Sequence, residues 1–391
     1  MKQHQSIYHL QFGLLCLSSF LFFASFNMII PELPAYLESL GGGEYKGLII
    51  ALFTLTAGLS RPFSGKLTDK IGRIPVMIFG AVVCFFCGFL YPLAGSVFLF
   101  LLLRFFHGFS TGFKPTGTSA YIADVVPALK RGEAMGVLGL CSSLGMASGP
   151  AIGSSLALYY SLDVMFYASS VVAIMSIVIL AGMEETLVEK ERFRFSFLKL
   201  KKHEIFEPRV IAPCIVLLLT AFSFGIVLTI TPDLSDELGI RNRGLFYTFF
   251  TIASVAVRFF AGKASDRYGR VLVLKVSTTV LTISMFALAM ADSIPFFLTS
   301  AVIFGLAAGM NTPTIFAWTI DLSHEKHRGR GMATMYIALE AGIGLGAFLS
   351  GWIYSNDATR FIYAYGLGGI LAAVAFVYLF FIPSRKLAKV A

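Results

Sequence analysis

The sequence predicts an all-α integral membrane protein with twelve transmembrane helices, arranged as two pseudo-repeats of six helices each. Three observations support this prediction. Apolar segments of about 20 residues, the length that crosses a bilayer as a helix, recur along the whole chain. Hydrophobic residues make up 57% of the 391 residues and charged residues only 14%, whereas soluble domains carry about 25% charged residues. Finally, the second half of the chain repeats many positions of the first half.

The spans divide the chain into two bundles and a connector. They are expected at 10–30, 47–64, 74–95, 97–121, 134–157, 162–182, 210–230, 244–261, 272–291, 295–320, 332–354 and 360–382. The first apolar run is a retained helix rather than a signal peptide, because it has a counterpart in the span that begins near Val210. We therefore predict a helix bundle over 1–183, a cytoplasmic linker over 184–208 and a second bundle over 209–391.

The net charge of +9 reflects membrane topology rather than an affinity for nucleic acid. Most Lys and Arg residues fall in loops on one side of the predicted membrane. The loops on the other side contain Lys46, Arg241, Arg243 and Arg360. Because positively charged loops stay in the cytoplasm, both termini are expected there.

The cysteines give no sign of a disulfide framework or a metal centre. All five lie inside apolar spans, and the pair Cys84 and Cys87 has no second pair to complete a metal site. We expect buried thiols, no metal and no cofactor.

The internal repeat has an offset of 197 residues and is clearest in two short loops. The segment Gly65-Lys-Leu-Thr-Asp69-Lys-Ile-Gly72-Arg73 returns as Gly262-Lys-Ala-Ser-Asp266-Arg-Tyr-Gly269-Arg270. Each loop joins two spans by a very short turn, in which glycine permits a tight bend and close helix approach. The linker between the halves is charged, with interfacial Phe residues; it is interpreted as a solvated connector, and a membrane-surface or partner-binding role is the alternative.

These loops resemble the signature of the major facilitator superfamily, usually written GxLxDRxGR(R/K). Here Lys70 replaces the usual Arg in the first copy. The resemblance covers essentially the whole chain and implies the major facilitator fold, with transport by alternating access. It further implies that the loop residues steady one end state of the transport cycle. These conformational residues are Gly65, Asp69, Gly72, Arg73, Asp124, Gly262, Asp266, Gly269 and Arg270.

The fifth span carries Gly145, Gly149, Pro150 and Gly153. This spacing resembles the fifth-helix motif of the drug:proton antiporters in the superfamily, which implies export in exchange for protons. Generic packing of small residues is the alternative interpretation.

The fourth span places Arg104, His107 and Lys114 on one helix face, at a depth where charges are expensive and by default functional. The Arg104 segment resembles the antiporters' fourth-helix motif RxxQGxGxA, with His107 in place of Gln. In that family the arginine is linked to proton exchange. Structural pairing of Arg104 with a neighbouring helix is the alternative.

Two embedded acids, Glu340 and Glu32, are candidates to balance these cations. A carboxyl group among apolar side chains takes up a proton more readily than one in water, which suits a proton carrier. Glu32 is alternatively a wetted residue at the membrane boundary. Broken repeat symmetry singles out four of these embedded polar residues, because Arg104, His107, Lys114 and Glu340 stand opposite Ala301, Phe304, Asn311 and Ser143.

The hypothesis is a secondary transporter, not an enzyme, that exports a small organic or drug-like solute across the bacterial plasma membrane in exchange for protons. Glu340, Arg104 and Glu32 are the expected proton-coupling residues. The expected substrate-binding residues are Lys114, His107, Asn311, Trp318 and Tyr36. The embedded cations favour an anionic or zwitterionic solute. Protons, the solute and lipid are the expected partners of a monomer that binds no nucleic acid. An uptake symporter or uniporter is one alternative, and a non-transporting sensor or assembly partner is another.

Overall fold

The computed structural model describes residues 10–127, 131–198, 207–323 and 328–382. This part of the chain contains twelve long helices and no β-strand. Their bounds are α1 Leu10–Ile29, α2 Lys46–Lys70, α3 Arg73–Leu90, α4 Val97–Val125, α5 Arg131–Tyr159, α6 Leu162–Ala181, α7 Ile211–Glu237, α8 Leu245–Tyr268, α9 Arg270–Ala289, α10 Ile294–Leu322, α11 Arg328–Tyr354 and α12 Phe361–Tyr378. The prediction of an all-α membrane protein is confirmed.

Eleven helical spans of the described chain are long and apolar enough to cross a membrane. The twelfth is α8, which is bent by 46° between Leu245–Arg258 and Phe260–Tyr268 and passes the test when its two parts are taken together. The first span is longer than predicted. It continues past Ile29 through the short turn Ile30–Glu32 into the helix Leu33–Ser39, so Glu32 lies inside this span.

The two helices that lead into the repeated loops, α2 and α8, are also longer than predicted. Helix α2 ends at Lys70 and α3 begins at Arg73, whereas α8 ends at Tyr268 and α9 begins at Arg270. Most of each signature is therefore helical. The non-helical turn contains only Ile71 and Gly72 in the first copy and Gly269 in the second copy.

The chain forms two compact units whose bounds follow spatial contacts rather than the repeat. The first contains Met1–Pro31 and Leu55–Lys201, and the second contains Glu32–Thr54 and Lys202–Ala391. Helix α2 is continuous across Thr54 and Leu55, so it contributes to both units. The division at 184–208 predicted from the repeat is a statement about the sequence halves and stays a prediction.

Four helix pairs of the first unit recur in the second. In the first unit α1 packs against α5 and α6, and α3 packs against α4 and α6. In the second unit α7 packs against α11 and α12, and α9 packs against α10 and α12. Since these helices of the second unit pack as their counterparts in the first unit do, the pseudo-repeat predicted from the sequence is present in the fold.

Glycines bring α5 onto α1 at backbone distance. A Cβ at Gly149 would overlap the carbonyl oxygen of Ala24, and a Cβ at Gly153 would overlap that of Met28. Helix α11 meets α7 in the same way, since a Cβ at Gly346 would overlap the carbonyl oxygen of Phe222. This second approach forms although Ala347 stands where Pro150 stands in α5. Close packing therefore accounts for these glycines in both halves, and the antiporter assignment of the fifth-helix motif stays a prediction.

Two glycines of α5 provide a test of this packing. Gly149→Ala is expected to destabilise the protein by about 1–3 kcal/mol, because the new methyl group overpacks the α1 contact. Outside its own helix backbone, Gly139 has no heavy atom of the described residues within 4 Å of the position of a Cβ, so Gly139→Ala is expected to leave stability unchanged or raise it by about 0.5–1 kcal/mol. Thermal unfolding of the detergent-solubilised protein measures both. Equal effects of the two substitutions would contradict the packing argument.

Candidate functional site

The first loop signature is closed by Arg73, which bonds to both flanking helices. Its Nε lies 3.0 Å from Asp124 Oδ2 of α4, and its Nη1 lies 3.0 Å from Asp69 Oδ1 of α2. Nη1 also donates to the carbonyl oxygen of Thr68 at 2.6 Å. Gly72, at φ +125°, allows the sharp turn that places Arg73 there, since such φ values are accessible chiefly to glycine.

The second loop repeats this geometry. Arg270 Nε lies 3.0 Å from Asp321 Oδ2 of α10, and Nη1 lies 2.5 Å from Asp266 Oδ1 of α8. Gly269 has φ +92°. Six of the nine residues predicted as conformational thus form two equivalent turns, and Asp124 completes the first as Asp321 completes the second. Gly65 and Gly262 have no described heavy atom within 4 Å of a would-be Cβ, so no packing contact requires their small size here.

Within the described residues, the linker adds a contact to the first loop that the second loop lacks. Both carboxylate oxygens of Glu185 accept from the free amides at the start of α3, those of Arg73 and Ile74, at 3.0 Å each. The amides of Thr186 and Leu187 donate to the same carboxylate at 2.9 and 3.0 Å. A negative charge at a helix N-terminus satisfies orphan donors and complements the helix dipole.

Two further bonds hold this part of the linker against the first loop. Thr186 Oγ1 donates to Asp124 Oδ2 at 2.6 Å, and Lys70 Nζ lies 2.6 Å from Glu191 Oε1. The hydrogen bond from Lys70 lowers the pKa of Glu191. Residues 185–187 and 191 thus bond to the first loop, although residues 188–191 are exposed, and the solvated connector stays a prediction. The rest of the predicted linker is described only for 192–198 and 207–208.

The predicted cations of α4 are all buried in the first unit. Arg104 and Lys114 are each 1% exposed, and His107 is 0% exposed. Arg104 Nη1 donates to the hydroxyl of Tyr91 at 3.3 Å, and that hydroxyl lies 3.2 Å from His107 Nδ1. His107 Nε2 lies 3.5 Å from Cys84 Sγ. Arg104 and His107 thus belong to one polar chain that joins α3 and α4.

Lys114 lies apart from that chain, against α1. Its Nζ donates to Ser19 Oγ at 3.3 Å and lies 4.9 Å from the centre of the Phe22 ring. No carboxylate of the described residues lies within ion-pair distance of this ammonium group. Because an unpaired charge in an apolar interior is costly, Lys114 is a candidate to bind an anionic group from outside the chain.

Glu32 has a different partner from the one expected. It was predicted to balance the cations of α4, but its Oε2 lies 2.5 Å from Arg243 Nη1, in the second unit. Its side chain is only 7% exposed, so it is not a wetted boundary residue. The sequence placed Arg243 in a loop and gave no sign of this pairing.

The remaining predicted residues also lie in the second unit. Glu340 of α11 is 8% exposed, and Trp318 and Asn311 of α10 are 7% and 6% exposed. Asn311 Oδ1 has no hydrogen-bond partner within the described chain. Tyr36 is half-buried in the helix Leu33–Ser39.

Sequence reasoning missed several residues that shape these sites. Tyr91, Ser19 and Phe22 contact the cations of α4, and Glu185 caps α3. None stands at a motif position. The sequence contains one weak indication of the cap by Glu185. This acidic residue follows the end of α6, and α3 begins on the same side of the membrane after Gly72, which has no side chain to cap the helix.

Paired Arg–Asp turns thus lie at equivalent places on a repeated six-helix scaffold. The chain belongs to the Major Facilitator Superfamily, whose model matches residues 15–246 and 213–391. This confirms the resemblance drawn from the two loops.

Curated relatives include bacterial drug-resistance proteins. Multidrug resistance protein 2 of Bacillus subtilis is 25% identical over 270 residues, which span 66% of this chain and 67% of that protein. Quinolone resistance protein NorA of Staphylococcus aureus is 31% identical over 148 residues, and the match covers 38% of each chain.

Solved structures share the fold at low sequence identity. The human organic anion transporter MFSD10 (TETRAN) has a TM-score of 0.74 at 18% identity, with 94% of this chain and 98% of that chain covered. A D-xylose-proton symporter has a TM-score of 0.76 at 17% identity, with 96% and 98% covered.

The Glu185 cap is testable by substitution. Glu185→Ala is expected to lower the stability of the protein by about 1–2 kcal/mol, because the amides of Arg73 and Ile74 lose their acceptor. Glu189 is exposed in the same segment, so Glu189→Ala is the matched control and is expected to have no measurable effect. Thermal unfolding in detergent gives both values. A Glu185→Ala protein as stable as the control would show that the cap contributes nothing.

Proposed function

We propose that this transporter exports a small organic solute with an anionic group and exchanges it for protons. Membership of the superfamily supports transport, and the drug-resistance relatives support export. The fold itself is compatible with either direction, since a proton symporter shares it. We further propose that the chain lies in a plasma membrane with both termini in the cytoplasm, as the distribution of Lys and Arg favours.

The observation that carries the proposal is the fully buried ammonium group of Lys114. Among the described residues it contacts one hydroxyl group and one aromatic face and no acid. A carboxylate on the solute would pair with this charge where water is excluded and electrostatic attraction is strong. The adjacent Phe22 ring suits an aromatic body attached to that carboxylate.

The second unit contains a buried acceptor of its own. Asn311 Oδ1 is buried without a hydrogen-bond partner in the described part, which costs free energy unless a donor reaches it. A donor group of a bound molecule would satisfy it. The surroundings of Lys114 by themselves favour a solute with an anionic group over a purely lipophilic cation. In this proposal His107, Trp318 and Tyr36 contribute polar and aromatic contacts.

Glu340 is the proposed proton carrier. It is buried in α11, inside a span of the second unit. Its counterpart in the first half is Ser143, so the repeated scaffold does not require an acid there. Arg104 is proposed to respond to the charge of this exchange from its polar chain with Tyr91 and His107.

Proteoliposomes with an acidic lumen test the coupling. The purified protein is expected to accumulate norfloxacin, a quinolone with a carboxylate and an amine, above the level of protein-free liposomes. Glu340→Gln is expected to reduce this accumulation at least tenfold, equivalent to about 1.4 kcal/mol, while counterflow without a gradient continues. Glu237, exposed at the end of α7, gives the control Glu237→Gln. Loss of norfloxacin from preloaded vesicles under the same gradient would instead identify a symporter.

Lys114→Gln tests the anion site. The substitution is expected to reduce norfloxacin accumulation at least tenfold, or about 1.4 kcal/mol, because the carboxylate loses its cation. Accumulation of tetraphenylphosphonium, which has no anionic group, should not fall. Lys114→Arg keeps the charge and is expected to retain part of the norfloxacin signal. Equal losses for both probes would refute a carboxylate site at Lys114.

A further inference from the structure

Two ion pairs of the second unit join residues that are far apart in sequence. Lys46 Nζ lies 2.5 Å from Asp233 Oδ1, and Arg243 Nη1 lies 2.5 Å from Glu32 Oε2. In each pair one residue belongs to the segment 32–54, from the first half of the sequence. The other lies at the end of α7 or in the loop that follows it. We call these four residues the reciprocal clasp.

The clasp is buried, unlike most surface ion pairs. Lys46 is 3% exposed, Asp233 12%, Glu32 7% and Arg243 21%. Asp233 Oδ2 is buried without a partner in the described chain, so the bond to Lys46 is the main compensation for burying that carboxylate. Removing one partner of such a pair leaves an uncompensated charge in a dry environment.

The repeat shows that each half supplies a cation to the other half. Lys46 and Arg243 are counterparts at the repeat offset, and each lies at or just before the start of the second helix of its half. Each cation meets an acid of its own half, since Lys46 lies 2.7 Å from Glu38 and Arg243 lies 2.7 Å from Asp236. Each also binds an acid in the first span of the other half, Asp233 or Glu32.

A close backbone contact fixes the same segment. A Cβ at Gly47 would lie 2.8 Å from the carbonyl oxygen of Ala347, and a Cβ at Gly351 would lie 2.5 Å from the Cα of Gly47. The start of α2 and the end of α11 thus touch without intervening side chains. Any movement of the segment 32–54 away from α7 and α11 has to break the clasp and this contact together.

We infer that the reciprocal clasp holds the outer ends of these helices together in one state of the transport cycle, and that its opening is required for access from that side. Its four members are positioning residues for transport and need no contact with the solute. Only the assignment of these helix ends to the outer side of the membrane rests on the proposed orientation. The clasp does not depend on which solute is transported.

Thiol labelling of the full-length protein in membranes tests the clasp. Ser350, which is 0% exposed in α11 beside Gly351, becomes a reporter through Ser350→Cys. A membrane-impermeant maleimide is applied to right-side-out and inside-out vesicles. Labelling of the unsubstituted protein measures the background from the five native cysteines. Adding Lys46→Met or Asp233→Asn is expected to raise the labelling rate at least tenfold. The double exchange Lys46→Asp with Asp233→Lys is expected to restore protection.

Matched controls separate the clasp from general loosening. Glu38 also contacts Lys46, at 2.7 Å, but it is 56% exposed, so Glu38→Gln should change the labelling rate less than twofold. Ser293→Cys, exposed in the loop before α10, should label equally in every variant and report the side of the membrane. Labelling of Ser293→Cys from the cytoplasmic side would overturn the proposed orientation. The clasp would then be tested with maleimide applied to that side.

Two results would overturn the clasp. One is a Ser350→Cys reporter that stays protected when Lys46 or Asp233 is neutralised. The other is a charge exchange that labels as fast as the single substitutions although size-exclusion chromatography shows a folded protein. If Lys46→Met does not fold, Asp233→Asn tests the same ion pair, because it removes the charge and keeps the side-chain shape.

Discussion

The cost of leaving a charge unpaired where water is excluded is the constraint on which the rest of this structure depends. Arg73 and Arg270 each meet two carboxylates at the loop turns, and Lys46 and Arg243 meet acids in the reciprocal clasp. These pairs fix helix ends. Lys114 is the contrasting case, since its neighbours among the described residues are a hydroxyl group and a ring. This buried charge is the one on which the proposed anion site depends.

Close backbone packing provides the second level of organisation. Between membrane helices the hydrophobic effect gives little driving force, so small residues that let backbones approach supply much of the attraction. The contacts of Gly149 with α1 and Gly346 with α7 are equivalent in the two halves. The repeat therefore explains the scaffold. Residues that break the repeat, such as Lys114 and Glu340, are the ones for which the scaffold gives no reason.

The sequence was sufficient for the features that depend on local patterns. Apolar length predicted the spans, and the two loop signatures predicted equivalent turns, because Gly72 and Arg73 act within a few residues of each other. It failed where a partner lies far along the chain. The pairing of Glu32 with Arg243 and the capping of α3 by Glu185 depend on three-dimensional register, which no periodicity encodes. The ends of α1 and α2 were also misplaced, since polar residues such as Glu32 and Asp69 continue the helical segments.

The clasp has a consequence for how the chain matures. Lys46 precedes its partner Asp233 by 187 residues, and Glu32 precedes Arg243 by 211. Chains are synthesised from the N-terminus at about 5–20 residues per second, so Lys46 waits at least several seconds for Asp233. During that interval Glu38, which is made before Lys46 and lies 2.7 Å from it in the folded protein, is the acid available to it. Final docking of the segment 32–54 is thus a late event of biogenesis, although the segment is made early.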